Sequence, residues 1–131
     1  MRVNHLPELE CLLQDLHISK NDVCIVGSAV LSLYDIRQNK DIDIIINHKD
    51  RQKVTKDPTA AKLSDNIECV ATGWLYCIDN KTTDEDIIYN SQNHFINEGF
   101  KFCTMELVTL RKTSSTKDKD KKDLILINDK C

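Results

Sequence analysis

The sequence is poor in the features that mark membrane, secreted or nucleic-acid-stacking proteins. Only 5% of its 131 residues are aromatic, and no stretch approaches the roughly 20 consecutive apolar residues that a membrane span needs. The N-terminal stretch MRVNHLPELECLLQDL has acidic residues within its apolar pattern and no small-residue cleavage site, so we do not expect a secretory signal. These absences predict a cytoplasmic protein that does not contact a membrane.

The sequence contains several cysteines, but their spacing is not typical of a disulfide framework or of a structural zinc site. The six cysteines, at positions 11, 24, 69, 77, 103 and 131, include no Cys-x-x-Cys pair, and several lie in apolar runs. Without an export signal, we expect reduced and mostly buried thiols. The four histidines are scattered as well, so the pattern does not indicate a structural zinc site.

The length and the hydrophobic pattern predict one domain over residues 1–131, without repeats or a linker. We expect an α/β (α+β) fold in which a short mixed sheet of three to five strands is flanked by helices. Predicted strands cover 22–26, 41–46, 66–71 and a hairpin that turns at Asn97-Glu98-Gly99. Predicted helices cover 5–17, 29–36, 84–92, 105–113 and about 115–127, with caps at Asn4, Thr83 (a capping box with Asp86), Thr104 and Ser115 (with Asp118). The polar stretch 47–66 is predicted as a loop with at most a short helix near 49–55, since it contains Pro58.

The stretch VCIVGSAVLSLYDIRQNKDIDIIIN, residues 23–47, contains two features that carry chemistry. Gly27 and Ser28 follow a short apolar strand, where a glycine lets the backbone approach a ligand and a helix N-terminus favours a phosphate. Asp41 and Asp43 alternate along the next strand, so their carboxylates point to the same side. Two close carboxylates repel each other unless a cation lies between them, and Mg²⁺ prefers such oxygen ligands. An isolated Asp-x-Asp is more typical of a solvent-facing edge strand, but the adjacent Gly-Ser favours a site.

This strand, Gly-Ser, helix and Asp-Ile-Asp arrangement resembles the nucleotidyltransferase superfamily that includes DNA polymerase β, and in particular its minimal, stand-alone members. The resemblance implies a nucleotidyltransferase-like fold and a Mg²⁺-dependent enzyme that moves a nucleoside monophosphate from a nucleoside triphosphate to an acceptor hydroxyl. It implies Gly27 and Ser28 at the triphosphate, and Asp41 and Asp43 as catalytic ligands of two Mg²⁺ ions. The acceptor remains open between a protein, a sugar phosphate, a small molecule and an RNA end.

Members of this superfamily commonly use a third carboxylate, and Glu68 in NIECVA is the candidate for that catalytic and metal-binding role. Its apolar neighbours suggest a strand interior, whereas an exposed position on an edge strand is the ordinary alternative. Glu106 is the other candidate, although a glutamate in the first turn of a helix already interacts favourably with the helix dipole.

The segment from Arg111 to Lys122 contains six basic and two acidic residues. It loosely resembles the late Lys-Asp-x-x-Asp helix of some nucleotidyltransferases, with Lys119, Asp120 and Asp123 at the motif. Arg111, Lys112 and Lys119 are therefore nucleotide-binding candidates. The alternative for this segment is a solvated charged helix face, which we favour for Lys117, Lys121 and Lys122.

Two further side chains are ambiguous. Trp74 has a surface suited to stacking on a base, but a lone tryptophan beside Leu75 and Tyr76 is more typical of a core. His48 follows the second strand, and we exclude it as a ligand because magnesium prefers oxygen. The rival function is an antitoxin-like or other partner-binding module with this fold and little or no catalysis, or a nucleotide sensor. The intact Asp41 and Asp43 favour the enzyme.

Overall fold

The computed structural model describes residues 1–130, and Cys131 lies outside the described residues. Within that range the chain forms seven helices and six strands. The helices are α1 Leu6–Asp15, α2 Ser28–Leu33, α3 His48–Arg51, α4 Tyr76–Asp79, α5 Asp84–Tyr89, α6 Met105–Thr113 and α7 Asp118–Lys130. The strands are β1 Val23–Val26, β2 Ile42–Ile46, β3 Ala61–Ser64, β4 Ile67–Cys69, β5 His94–Asn97 and β6 Phe100–Cys103.

The strands form one mixed sheet in the order β3-β4-β2-β1-β6-β5. The central strand β1 runs antiparallel to β2 and parallel to β6, and β2 runs parallel to β4. The two outer strands are each joined antiparallel to their neighbours. The predicted α+β class with a mixed sheet is confirmed, whereas the expected three to five strands are too few.

The hydrophobic core lies on both faces of the central strands. All four residues of β1, the sequence Val-Cys-Ile-Val, are buried, and four of the five residues of β2 are buried as well. Continuous burial of this kind occurs when helices cover both faces of a sheet. The exception in β2 is Asp43, which is only partly buried and is the strand's one polar residue.

The polar stretch 47–66 contains a strand that the sequence-based assignment missed. Strand β3 lies within it and pairs antiparallel with β4 across a turn at Asp65 and Asn66. No residue of β3 is fully buried, because it is an edge strand, so its sequence lacks the apolar alternation that predicts a strand. The same stretch contains the short helix α3, which begins at His48 and ends at Arg51.

Some of the predicted caps and turns are confirmed, and others are wrong. Thr83 and Asp86 form the predicted capping box of α5, and the predicted hairpin turn joins β5 to β6, with positive φ at Glu98 and Gly99. Asn4 does not cap α1: His5 holds that position with a φ of 76°, and Asn4 instead bonds to Asn39. The predicted bounds of α6, 105–113, are confirmed, although the side chain of Thr104 makes no capping bond. Helix α2 ends at Leu33 rather than near Ile36. Helix α7 begins at Asp118 rather than at Ser115, so Ser115 does not cap it, and it extends to Lys130.

The cysteines in residues 1–130 are all free thiols. Three of them, Cys24, Cys69 and Cys103, are buried, while Cys11 and Cys77 are exposed. In the same range, no helix has the length and apolar character needed to cross a bilayer.

Candidate nucleotide and metal site

One cavity of about 540 Å³ is lined by every residue that the sequence nominates for binding or catalysis, except the alternative carboxylate Glu106. We call it the main cavity. It lies among the end of β1, the start of β2, the strand β4 with the loop that follows it, and helices α6 and α7. Its volume is within the range of about 300–1,000 Å³ typical of small-molecule sites. The predicted residues that line it are Gly27, Ser28, Asp41, Asp43, Glu68, Arg111, Lys112 and Lys119.

The register of three neighbouring strands brings the key residues together. Asp43 in β2 pairs with Val26 at the end of β1 on one side and with Glu68 of β4 on the other. Residues directly opposite each other in a sheet project to the same face. Asp43 and Glu68 therefore lie side by side, and Gly27 immediately follows the residue opposite Asp43.

Gly27 occupies a position that no other residue fits well. Its backbone has φ 73° and ψ −140°, a region that is essentially restricted to glycine. A Cβ at this position would lie 3.3 Å from Oδ2 of Asp43. The absence of a side chain thus lets the turn pass directly against the Asp43 carboxylate, and Ser28 follows as the first residue of α2.

The thiol of Cys103 supports this turn from below. It is buried in β6, and the backbone N–H of Gly27 donates a hydrogen bond to it. Burial raises the pKa of the thiol to about 12, although that hydrogen bond acts in the opposite direction. Cys103 is therefore a neutral packing residue under the site rather than a nucleophile.

Asp41, Asp43 and Glu68, which we call the carboxylate cluster, carry negative charge that is not fully compensated. Burial, together with the charges of Asp41 and Glu68, raises the pKa of Asp43 from its ordinary value of 3.8 to about 6. Lys119 and Lys112 oppose this rise without cancelling it. Burial is the largest cause of this rise, and a divalent cation at the cluster would offset the part that comes from repulsion between the carboxylates.

The donor set fits Mg²⁺ that is completed by a substrate, rather than a closed protein cage. Among residues 1–130, no three His, Cys, Asp or Glu side chains form a ready-made metal site. Mg²⁺ commonly binds one or two carboxylates together with waters and substrate phosphates. Two aspartates beside a cavity with basic residues match that mode.

Asp41 precedes β2, and a buried asparagine that sequence reasoning missed fixes its backbone. Asn39 is 1% exposed, and its Nδ2 donates to the carbonyl of Asp41 at 3.0 Å. Its own N–H donates to Oγ of Ser32 at 2.7 Å, and its side chain also bonds to the backbone of Asn4. A polar residue in a loop gives no sequence signal for burial, so only the structure identifies this support.

Glu68 lies beside Asp43 on the neighbouring strand and lines the main cavity. The alternative interpretation, an exposed position on an edge strand, is right about exposure and wrong about the edge. Glu68 is exposed, but β4 is an interior strand because β3 pairs along its outer side. Glu106 does not line the main cavity; it is exposed in the first turn of α6.

The basic residues of the cavity fall into two groups. Lys112 is buried, and its Nζ lies 3.0 Å from carboxylate oxygens of both Asp120 and Asp123. Arg37, which the sequence did not nominate, donates to Asp123 from Nε at 2.6 Å and from Nη2 at 2.9 Å. Burial raises the pKa of Asp123, but the hydrogen bonds from Arg37 and Lys112 outweigh it and hold that pKa below its ordinary value. These four residues fasten α7 to α6 and to the loop before β2.

Arg111 and Lys119 form the second group, together with Lys117. Each lines the main cavity, and none has a carboxylate within ion-pairing distance in residues 1–130. Their charges are available to an anion, whereas the charge of Lys112 is shared by two aspartates. The nucleotide-binding prediction for Lys112 stays a prediction, with its Nζ already engaged.

A smaller cavity of about 340 Å³ adjoins the first and shares Thr72 and Gly73 with it. His48 and Tyr76 line this second cavity. Trp74 lies on the side of the main cavity and is 8% exposed, so it is mostly a core residue, as its neighbours suggest.

Comparison of the chain with protein-family models, with curated proteins and with solved structures found no match. The geometry of the main cavity and the chemistry of its residues are therefore the basis on which a function is inferred.

Proposed function

We propose that the protein is a Mg²⁺-dependent nucleotidyltransferase that transfers a nucleoside monophosphate from a nucleoside triphosphate to an acceptor hydroxyl. One observation carries the proposal: the strand register sets Gly27, Asp43 and Glu68 side by side in a cavity. Asp41 lines the same cavity, as do cations without ion pairs. Glycine-lined turns, paired carboxylates and free cations together suit a triphosphate and its metals.

Asp41 and Asp43 are the residues that would hold the metal. Bound Mg²⁺ would offset the charge of the triphosphate and supply Lewis-acid assistance to the displacement. The two aspartates belong to one short segment, and Asn39 holds the backbone of Asp41 in place. This bond fixes the backbone from which the Asp41 side chain extends.

The turn at Gly27 and Ser28 would receive the β- and γ-phosphates. Because Gly27 has no side chain, a phosphate can approach the backbone and the Asp43 carboxylate together. The hydroxyl of Ser28 supplies a hydrogen-bond donor that also lines the cavity.

The transfer step requires a base for the acceptor. Glu68 would accept the proton of the acceptor hydroxyl as its oxygen attacks the α-phosphorus. A bond forms between that oxygen and the α-phosphorus, and the bond from the α-phosphorus to the bridging oxygen breaks with its electron pair. Pyrophosphate leaves, and the free cations Arg111 and Lys119 stabilise the charge that develops on it.

Calorimetry with each nucleoside triphosphate, with and without Mg²⁺, tests this function. Mg²⁺ should strengthen the binding of at least one triphosphate to wild type, and the Asp41→Asn/Asp43→Asn double variant should lose that metal-dependent gain. Asp65→Asn is the matched control, because Asp65 is exposed in the β3–β4 turn and lies outside the main cavity. Equal binding by wild type and the double variant would contradict the proposal.

A further inference from the structure

Arg111 is held in the main cavity by an aromatic ring rather than by a carboxylate. Its guanidinium carbon lies 5.9 Å from the centre of the Trp74 ring, and its Nη1 donates to the Cys77 sulfur at 3.6 Å. A cation within about 6 Å of a tryptophan ring is attracted by the negative face of that ring. Arg111 is also half-buried, so it has lost part of its hydration without gaining an opposite charge.

Trp74 is itself fixed by bonds that involve its backbone. The carboxylate of Asp84 accepts hydrogen bonds from the N–H of Gly73 at 2.9 Å and of Trp74 at 3.2 Å. The ring is nearly buried, with 8% of the residue exposed. It therefore forms a rigid surface for Arg111 on the cavity side.

The neighbouring cations differ in this respect. Arg37 forms an ion pair with Asp123, and Lys112 forms ion pairs with both Asp120 and Asp123. Lys119 is exposed to solvent. Among the cations that line the main cavity, Arg111 alone combines partial burial, a fixed orientation and the lack of an ion pair within residues 1–130. A planar guanidinium in that state is suited to phosphate oxygens, which it can bind with two parallel hydrogen bonds.

We propose that Trp74 is a positioning residue that holds Arg111 as a metal-independent anchor for the polyphosphate chain of the nucleotide. The inference rests on the proposed function only in naming the nucleotide as the owner of that chain. Arg111 contacts the phosphates, whereas Trp74 acts through Arg111 by fixing the plane of the guanidinium. Polyphosphate binding should therefore occur before, and without, the metals at the carboxylate cluster.

The protein contains a built-in reporter for this event, because Trp74 is its only tryptophan. Inorganic tripolyphosphate should be titrated in EDTA while tryptophan emission is recorded, with sulfate at equal ionic strength as the comparison. We expect a saturable change with tripolyphosphate that ATP competes away. No saturable change, or no competition with ATP, would overturn the proposal.

Substitutions at Arg111 separate a specific anchor from general attraction of anions. Arg111→Gln should weaken tripolyphosphate binding about tenfold or more, since a charge-assisted bidentate contact is lost. Arg111→Lys should recover only part of that affinity, because an ammonium lacks the planar fork. Lys121→Gln, an exposed change on α7 outside the cavity, should leave the affinity within about twofold of wild type, in line with weak surface electrostatics. Equal losses from Arg111→Gln and Lys121→Gln would refute a specific anchor.

Substitutions at Trp74 test the positioning role, with calorimetry as the readout. Trp74→Phe keeps a ring and should stay within about threefold of wild type, whereas Trp74→Leu should lose roughly five- to tenfold, as expected when a cation–π contact is removed. In turnover assays Trp74→Leu should raise KM for the triphosphate more than it lowers kcat. Circular dichroism identifies unfolded Trp74→Leu, in which case the Trp74→Phe and Arg111 variants decide.

The outcomes distinguish this inference from the proposed function. Metal-free tripolyphosphate binding that depends on Arg111 and Trp74 would support the anchor even if no nucleotide transfer were found. Conversely, Mg²⁺-dependent transfer with equal tripolyphosphate affinity in wild type, Trp74→Leu and Arg111→Gln would overturn the anchor and leave the proposed function intact.

Discussion

Replacing Asp43 by asparagine should stabilise the metal-free protein. In the folded state burial, with the neighbouring charges of Asp41 and Glu68, raises the pKa of Asp43 from 3.8 to about 6. The folded protein therefore holds this proton more tightly than the unfolded chain does. Between pH 3.8 and about 6 folding takes up a proton, so the free energy of unfolding falls as the pH rises through that window.

The magnitude follows from the size of the shift. Each pKa unit corresponds to about 1.4 kcal/mol, so a rise of roughly two units costs at most about 3 kcal/mol at pH 7. Asparagine has nearly the same shape but carries no charge, and Asp43→Asn removes this cost. The gain should be absent below about pH 4, where the aspartate is protonated, and constant above about pH 6.

Urea unfolding in EDTA at a series of pH values measures this difference, with Asp65→Asn as an exposed control. The Asp43→Asn variant should exceed wild type by about 1–3 kcal/mol at pH 7 and match it near pH 4. Millimolar Mg²⁺ should stabilise wild type more than the variant, because the ion binds the folded carboxylate cluster. A variant equal to or less stable than wild type at pH 7 in EDTA would refute the reasoning.

Three other substitutions have defined outcomes. Gly27→Ala should lower the free energy of unfolding, measured in urea, by about 1–3 kcal/mol, because alanine would be strained in this backbone conformation and its Cβ would lie against the Asp43 carboxylate. An unchanged urea midpoint would contradict that geometry. Asp123→Asn should lower the free energy of unfolding by about 3 kcal/mol, because it removes a charged partner from buried Lys112 and from partly buried Arg37. Asn at the exposed position Asp129 should have little effect, and equal effects of Asp123→Asn and Asp129→Asn would refute the network. Glu68→Gln should lower kcat by about 10²–10⁴, the usual contribution of a general base, and Glu106→Gln should not; the reverse result would identify Glu106 as the base.

The central part of the fold could be predicted from sequence because its signals are local. The apolar run of β1, the capping box at Thr83 and the hairpin turn at Glu98 and Gly99 each depend on a few adjacent residues. Strand β3 escaped prediction because an edge strand needs no buried face. Strand β3 is recognised as a strand only from its antiparallel pairing with β4 in the structure.

The candidate site divides in the same way. Asp41 and Asp43 could be nominated from their alternation, and Gly27 from its position after a strand. The proximity of Glu68 depends on which strand lies beside β2, a long-range property that spacing does not encode. Asn39 and Arg37 were missed because their roles arise from burial and from partners far along the chain.

The charged C-terminal segment shows a different limit of sequence reasoning. A lysine count predicts a positive surface but not which charges are already paired. Lys112 forms ion pairs with two aspartates, whereas Arg111 makes a cation–π contact with Trp74. Free and paired cations look alike in the sequence, and only their contacts separate them.

The most direct test of the central claim is to locate a divalent ion at the carboxylate cluster. Crystals grown with Mn²⁺ and a non-hydrolysable nucleoside triphosphate allow the manganese to be found by its anomalous scattering. The account predicts manganese bound by the carboxylates of Asp41 and Asp43, with the phosphates against Gly27 and Ser28. Nucleotide bound elsewhere, or manganese away from both aspartates, would contradict it.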